Sequence, residues 1–299
     1  MKVLVFGALN IDYTYNVDHF VGKGETISSS GLSVFSGGKG LNQAIAFAKA
    51  GVETYQAGSI GMDGEFLLAT LKEAGVHTDY VHVSQSHRSG NAIIQNDKHG
   101  DNCIILYGGS NQAIEKEYVD EVLSHFGSDD YIVLQNEINE MPHIIKQAKE
   151  RGMTVILNPS PMDEKVFAFP LSLVDYLLLN EVEACQLLNA STQRCMDEEI
   201  LDDLHEKFPE AKILLTLGSH GSKYLDSHER ISQSCYKVNV VDTTAAGDTY
   251  TGYFVASLIQ KKGVKEAMDI ASKASAIAVG RKGASSSIPS YDEVMNKKR

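Results

Sequence analysis

The sequence predicts an α/β fold, with a mostly parallel central sheet flanked by helices and a small β-sheet lid. Two observations predict it. Short β-branched runs alternate with helical stretches over most of the chain, and in two places that alternation fails. Alternation of this kind implies βαβ units and a parallel sheet covered on both faces. The two interruptions supply strands that no helix separates, enough for a second sheet. The chain has 299 residues, which suffices for one large core.

The first strand is expected at Lys2–Gly7, inside an apolar run from Val3 to Leu9 that Asn10 and Asp12 end. That run is too short, and turns polar too soon, for a signal peptide. Tyr13–Asp18 and Gly31–Phe35 have strand character with no helix between them. Lys39–Ala50 reads as a helix, Glu53–Ser59 as a strand and Glu65–Ala74 as a helix. Asn91–Asn96 and Asn102–Tyr107 form a hairpin across Asp97-Lys98-His99-Gly100. Residues 13–35 and 88–108 therefore contribute the lid of a single α/β domain, 1–299. Alternation then resumes: helix Glu115–Ser124, strand Tyr131–Gln135, helix Met141–Arg151, strands Thr154–Asn158 and Tyr176–Leu179, helices Glu181–Leu188 and Asp197–Lys207, strand Lys212–Leu217. Helices Ala246–Lys261 and Val264–Val279 close the series.

Composition excludes several classes. The hydrophobic fraction of 43% and charged fraction of 22% are those of a globular protein, and no apolar stretch reaches the length of a membrane span. A formal charge of -12 argues against nucleic acid, which needs a concentrated basic footprint. The basic tail Lys297-Lys298-Arg299 solvates the chain end. Cys103, Cys185, Cys195 and Cys235 show no CxxC pair and read as reduced thiols of a cytoplasmic protein. The ten histidines show no metal-binding spacing.

Five stretches carry chemistry. Asp242-Thr243-Thr244-Ala245-Ala246-Gly247-Asp248-Thr249 precedes a helical apolar pattern, so its free N–H groups offer an anion site. Asp248 would repel phosphate there, yet it could take a proton from a hydroxyl attacking phosphorus. The plainer alternative is a helix cap. Ser36-Gly37-Gly38-Lys39-Gly40-Leu41-Asn42-Gln43 lets backbone approach a ligand, or is a tight strand-to-helix turn. It is not a P-loop, because Ser33 and Gly40 stand at two of that motif's required positions. Asn10 and Asp12, two apart at a strand end, suit the vicinal hydroxyls of a sugar, or form a polar turn. Asn180-Glu181-Val182-Glu183 could hold Mg²⁺ through water, or open a helix with acids. Thr216-Leu217-Gly218-Ser219-His220-Gly221 could line a nucleotide site or simply turn.

In this order, together with Gly24-Glu25-Thr26, Asn158-Pro159-Ser160-Pro161 and Arg281-Lys282-Gly283-Ala284, these stretches resemble the ribokinase family of carbohydrate kinases from Gly7 to Pro289. The Gly-Gly-Lys-Gly and Asn-Gln-Ala runs, with Leu134-Gln135-Asn136-Glu137, are most similar to its ribose-phosphorylating members. The resemblance implies Asp248 as base, with the N–H groups of Ala245, Ala246 and Gly247 as anion hole. It implies Asn10, Asp12, Gly38, Lys39, Asn42 and Glu137 as sugar contacts. Asn180 and Glu183 would serve phosphate and magnesium, and Thr216, Gly218 and Gly221 the nucleotide. A monovalent cation, K⁺ by preference, would sit at Asp242, Thr244, Ala278, Arg281, Gly283 and Ser287. The lid strands would pair two subunits into a homodimer. The implied reaction moves the γ-phosphoryl of MgATP to a primary sugar hydroxyl, D-ribose O5 first among candidates.

The sequence departs from the family at Met62-Asp63-Gly64-Glu65, which lacks a later glycine, and at Ser89-Gly90-Asn91-Ala92, with Ser for Thr and a polar Asn91. Both bear on sugar identity, so 2-deoxyribose, another sugar or a nucleoside stays open. A non-catalytic sugar-binding protein is opposed by Asp248 and its intact segment. A nicotinamide oxidoreductase is opposed by the lack of any GxGxxG.

Overall fold

The computed structural model describes residues 1–190 and 199–296. The chain opens with β1 (Val3–Phe6), β2 (Asn10–Asn16), β3 (Gly31–Gly37), α1 (Lys39–Lys49), β4 (Thr54–Gly61), α2 (Glu65–Glu73) and β5 (His77–Ser84). There follow β6 (Gly90–Asn96), β7 (Asn102–Tyr107), α3 (Lys116–Leu123), β8 (Tyr131–Gln135), α4 (Met141–Glu150), β9 (Thr154–Asn158), β10 (Tyr176–Asn180) and α5 (Glu181–Leu188). The last part holds α6 (Ile200–Lys207), β11 (Lys212–Thr216), β12 (Ser222–Leu225), β13 (Arg230–Gln233), α7 (Ala246–Ile259), α8 (Val264–Ala278) and α9 (Tyr291–Asn296).

The large sheet has nine strands in the order β13-β12-β11-β10-β9-β8-β1-β4-β5. From β11 to β5 every neighbouring pair is parallel, and β12 and β13 add an antiparallel edge. Its central strands bury both faces, which is why they read as unbroken apolar runs. Ile132, Leu134, Val155 and Leu157 face one layer, with Val119, Ile144 and Ile145 of α3 and α4. Val133, Ile156, Leu178 and Leu214 face the other, with Leu41 and Ile45 of α1, Phe254 of α7 and Ala271 of α8.

The smaller sheet has the order β3-β2-β6-β7. The chain leaves β1 at Phe6, crosses three residues and becomes β2 at Asn10. The strand expected from Tyr13 thus begins earlier, and Asn10 and Asp12 lie within the small sheet rather than in a turn. Their spacing still puts both side chains on one face.

Sequence reading omitted β5, β12, β13 and α9. β5 carries His77, Asp79 and His82, and its exposed positions alternate with half-buried ones as on an edge strand. β12 and β13 are four residues each, joined by a polar turn in which Asp226 accepts N–H bonds from His228 and Glu229. The first two residues of the expected helix Asp197–Lys207 lie outside the described residues. One expectation is corrected: Cys185 is disulfide-bonded, whereas Cys103 and Cys235 are free thiols. Cys195 lies outside the described residues.

Candidate active site

The site lies at the carboxyl ends of the parallel strands, where α1, α5 and α7 begin. At the end of β3, two glycines make room. A Cβ on Gly37 would fall 2.0 Å from Asp12 Oδ2. Gly38 has φ 95°, a left-handed conformation that favours glycine, and a Cβ there would stand 2.6 Å from the Ala8 carbonyl oxygen. Lys39 then begins α1, and its N–H donates to Glu137 Oε2 at 2.7 Å.

Asn10, Asp12, Lys39, Asn42, Glu137 and Asp248 converge here. The amide Nδ2 of Asn111 donates to Asn10 Oδ1 at 2.8 Å. That bond leaves the Asn10 amide nitrogen as its donor toward the cleft. Asp12, beside it, is an acceptor. Loss of hydration pushes the Asp12 carboxyl up to about 7, with the charge of Glu137 acting in the same direction. Glu137 is itself raised to about 6 by burial, against the pull of Lys39. Burial would lower the Lys39 ammonium, but the carboxylates of Asp248, Glu137 and Glu183 together hold it above its usual value. The Asn42 amide oxygen is buried without a hydrogen-bond partner.

Asp248 is 6% exposed, in the first turn of α7. Asn42 Nδ2 donates to its Oδ2 at 3.2 Å and Gln43 Nε2 to its Oδ1 at 2.9 Å. Two cavities meet near it. One, of about 230 Å³, is walled by Lys39, Asn180, Glu183, Thr216, Gly247 and Asp248. The other, of about 790 Å³, runs past Thr216, Gly218, Gly221 and Gly247 to the apolar wall of Val238, Val240 and Val279. The smaller suits phosphates; the larger has the size and surface for a nucleoside.

Ala245 precedes α7 with φ 58° and ψ 12°, a left-handed conformation costly for alanine. Such strain concentrates at functional sites. The Ala246 N–H, expected in the anion hole, donates to the Thr243 carbonyl at 3.2 Å and closes the turn. Asn180 and Glu183 form a capping box: Glu183 N–H donates to Asn180 Oδ1 at 2.8 Å, and Asn180 N–H to Glu183 Oε2 at 3.0 Å. They therefore cap α5 and also wall the smaller cavity.

Of the six residues matched to a monovalent cation, three are bonded together. Asp242 Oδ1 accepts from the Thr244 N–H and hydroxyl, and Oδ2 from the Gly283 N–H. Burial raises this carboxyl, but those donors outweigh it and hold it below the usual range. The Ala278 carbonyl accepts the Arg281 N–H, while the Arg281 guanidinium pairs with Glu293 outside the group. Ser287 Oγ donates to the Ala284 carbonyl. Among the described residues no cluster of three or more His, Cys, Asp or Glu could hold a metal ion.

Sequence reading missed the supporting amides Asn111, Gln43 and Gln135. The signal was there in Gln135, a polar residue ending an otherwise apolar strand, and in Asn42-Gln43 at a helix start. Asn91, expected to influence the sugar, is corrected: it pairs in register with Ile11, on the face of β6 opposite Ala92 and Asp12. Its amide donates to the Ser89 carbonyl.

A buried carboxylate at a helix N-terminus, a donor–acceptor pair facing it and a nucleotide-sized cavity behind define a sugar kinase, a phosphotransferase acting on a sugar hydroxyl. The chain belongs to the pfkB family of carbohydrate kinases, whose model matches residues 1–291. It is similar to the ribokinase of Staphylococcus aureus, with 35% identity over 306 residues covering 98% of each chain. Its structure is similar to that of the ribokinase of Cryptococcus neoformans bound to ADP, with a TM-score of 0.87, 32% identity and 98% of each chain covered. The Arabidopsis thaliana ribokinase complexed with ribose and ATP gives a TM-score of 0.86 at 30% identity, over 98% of this chain and 97% of that one.

Proposed function

We propose that this enzyme transfers the γ-phosphoryl of MgATP to O5 of D-ribose, forming D-ribose 5-phosphate. The observation that carries the reading is Asp248, a buried carboxylate whose two oxygens are each held by an amide, between the sugar-side residues and the nucleotide cavity. Asp248 accepts the proton of the sugar hydroxyl. Asn10 donates to, and Asp12 accepts from, neighbouring hydroxyls of the furanose. Lys39 and the N–H groups at the start of α7 offset negative charge as the phosphoryl moves, in a transition state where positioning and electrostatics dominate. Magnesium arrives with ATP as substrate; Glu183 and Asn180 stand on the wall where its waters would be held.

The same reading assigns a K⁺ ion to the Asp242 group, where it would stabilise the turn before α7. One kinase domain, with residues 13–35 and 88–108 as its lid, acts as a homodimer through the small sheet. The cytoplasm, where ATP is at hand, is its setting. Parallel kcat/KM measurements on ribose, 2-deoxyribose and adenosine test the substrate. Ribose is expected to lead 2-deoxyribose by at least ~10², because a site built to bind a hydroxyl rejects its absence. If 2-deoxyribose matches ribose, the ribose assignment falls; if adenosine leads, the substrate is a nucleoside.

A further inference from the structure

Gln43 is fully buried, one residue beyond Asn42 on α1. Its amide nitrogen makes two bonds, to Asp248 Oδ1 at 2.9 Å and to Asn158 Oδ1 at 3.2 Å. Its amide oxygen accepts from Gln135 Nε2 at 2.7 Å. Asn158 in turn donates its Nδ2 to the Leu178 carbonyl at 3.0 Å. The Leu178 carbonyl fixes the sense of Asn158, which helps fix that of Gln43; Gln135 Oε1 is buried without a hydrogen-bond partner. Turning the Gln43 amide over would set its oxygen against two acceptor oxygens and its NH₂ against the NH₂ of Gln135. The sense of the Gln43 amide is therefore set jointly by Asp248 and by Asn158, whose own sense the Leu178 carbonyl fixes.

A carboxylate held by one donor can still rotate about its last bond. Asn42 holds Oδ2 of Asp248, but the Asn42 amide oxygen has no hydrogen-bond partner, so nothing else fixes that amide. Gln43 does not itself line either cavity, but it bonds to Asn158 and Asp248, which line the smaller one. Its contact with the base runs through Oδ1.

We propose that Gln43 is the positioning residue of this kinase, an amide held by Gln135 and Asn158 that aims the Asp248 carboxylate at the attacking hydroxyl. The proposal rests on the reading of Asp248 as the base. It explains why two fully buried amides, Gln43 on α1 and Gln135 at the end of β8, meet beside the half-buried Asn158 at the end of β9. A buried amide needs its partners to repay desolvation, and this set is matched to one carboxylate.

The test uses the full-length enzyme and four variants: Asp248→Asn, Gln43→Met, Gln135→Leu and the double variant of the last two. Gln43→Met keeps length and removes the donor. Its kcat is expected to fall about 10-fold to 10²-fold, the cost of a misplaced reacting group. The sugar and ATP dissociation constants, read by calorimetry, should stay within threefold of wild type. The acid limb of kcat against pH should move up by about one unit, because a carboxylate that loses a donor holds its proton more tightly. Lys39 of α1 and Glu137 after β8 also act on Asp248, and Glu183 of α5 acts on Lys39; all three stay in place in every variant. Gln135→Leu never touches Asp248, yet it should lower kcat in the same direction and add nothing to Gln43→Met. Should Gln43→Met fail to fold, Gln135→Leu carries the test through its own kcat and acid limb. Asp248→Asn should lose about 10² to 10⁴ in kcat. If Asp248→Asn stays within a few-fold of wild type, the base assignment fails and takes the proposal with it. If Asp248→Asn is dead while Gln43→Met keeps kcat and an unmoved acid limb, only the proposal is overturned. Additive losses in the double variant, or equal weakening of both dissociation constants, likewise overturn it.

Discussion

At the scale of single residues, the site sorts polar groups by what their neighbours leave free. Asn111 takes the oxygen of Asn10 and so makes Asn10 a donor; hydration lost at Asp12 makes that carboxyl a weak acid near neutrality. The consequence is a pH dependence whose sign follows from the shift. Asp12 stands at about 7 in the folded protein against 3.8 for an ordinary aspartate. Below pH 7 it carries a proton, and above it becomes the charged acceptor that binds hydroxyls more strongly. The KM for ribose should therefore fall severalfold as pH rises from about 6 to about 8, and Asp12→Asn should flatten the profile while raising KM. The sugar-free fold should lose a little stability over the same rise, since the folded state holds the Asp12 proton after the unfolded chain has released it. A ribose KM independent of pH in the wild type would remove Asp12 as the titrating contact.

At the scale of elements, catalysis depends on how closely α7 lies on α1. A Cβ added to Gly252 would stand 2.4 Å from Ala46 Cβ and 3.0 Å from the Ala46 carbonyl carbon. Neither atom is the end of a flexible side chain, so the helices must part. Gly252→Ala should cost about 1–3 kcal/mol, the usual range for overpacking. The readout is the midpoint of urea denaturation. Because α1 carries Asn42 and α7 carries Asp248, kcat should fall as well; an unchanged midpoint and kcat would show that the helices have room. The turn before α7 is the second such element. Its strained Ala245 and the Asp242–Thr244–Gly283 bonds join it to the segment after α8. K⁺ titrated into a tetramethylammonium buffer at constant ionic strength should activate the enzyme, Na⁺ less so, and Asp242→Ala should abolish the response. Equal rates with and without K⁺ would empty the proposed cation site.

At the scale of the whole molecule, the small sheet is too apolar to face water on both sides. Phe35, Ile104 and Leu106 are exposed on the face that carries Asp12, and Leu32, Val34 and Ile105 on the other. Contiguous patches of this kind mark contacts with another protein. The proposed homodimer predicts that sedimentation gives twice the mass of the chain, and that Ile105→Glu with Leu106→Glu, one charge on each face, gives the monomer. A wild type that sediments as a monomer at micromolar concentration would end the proposal.

The sequence alone determined the layered α/β fold, because the period of apolar residues is a local property and both faces of a parallel sheet must be buried. Its patterning also marked Asn10, Asp12 and Asp248, polar residues at a strand end and a helix start, while Lys39, Asn42 and Glu137 entered through the resemblance to the ribokinase family. Only the tertiary structure decided what those residues face. Asn42 and Asp248 are 206 positions apart and meet within hydrogen-bond distance; Gln43, Gln135 and Asn158 come from one helix and two strands and form a single amide relay. It also turned Asn91 to the far face of its strand, a matter of register that one residue of slip would reverse. Hydrogen-bond direction, desolvation and register are set by contacts between distant segments, and a linear sequence carries no local sign of them.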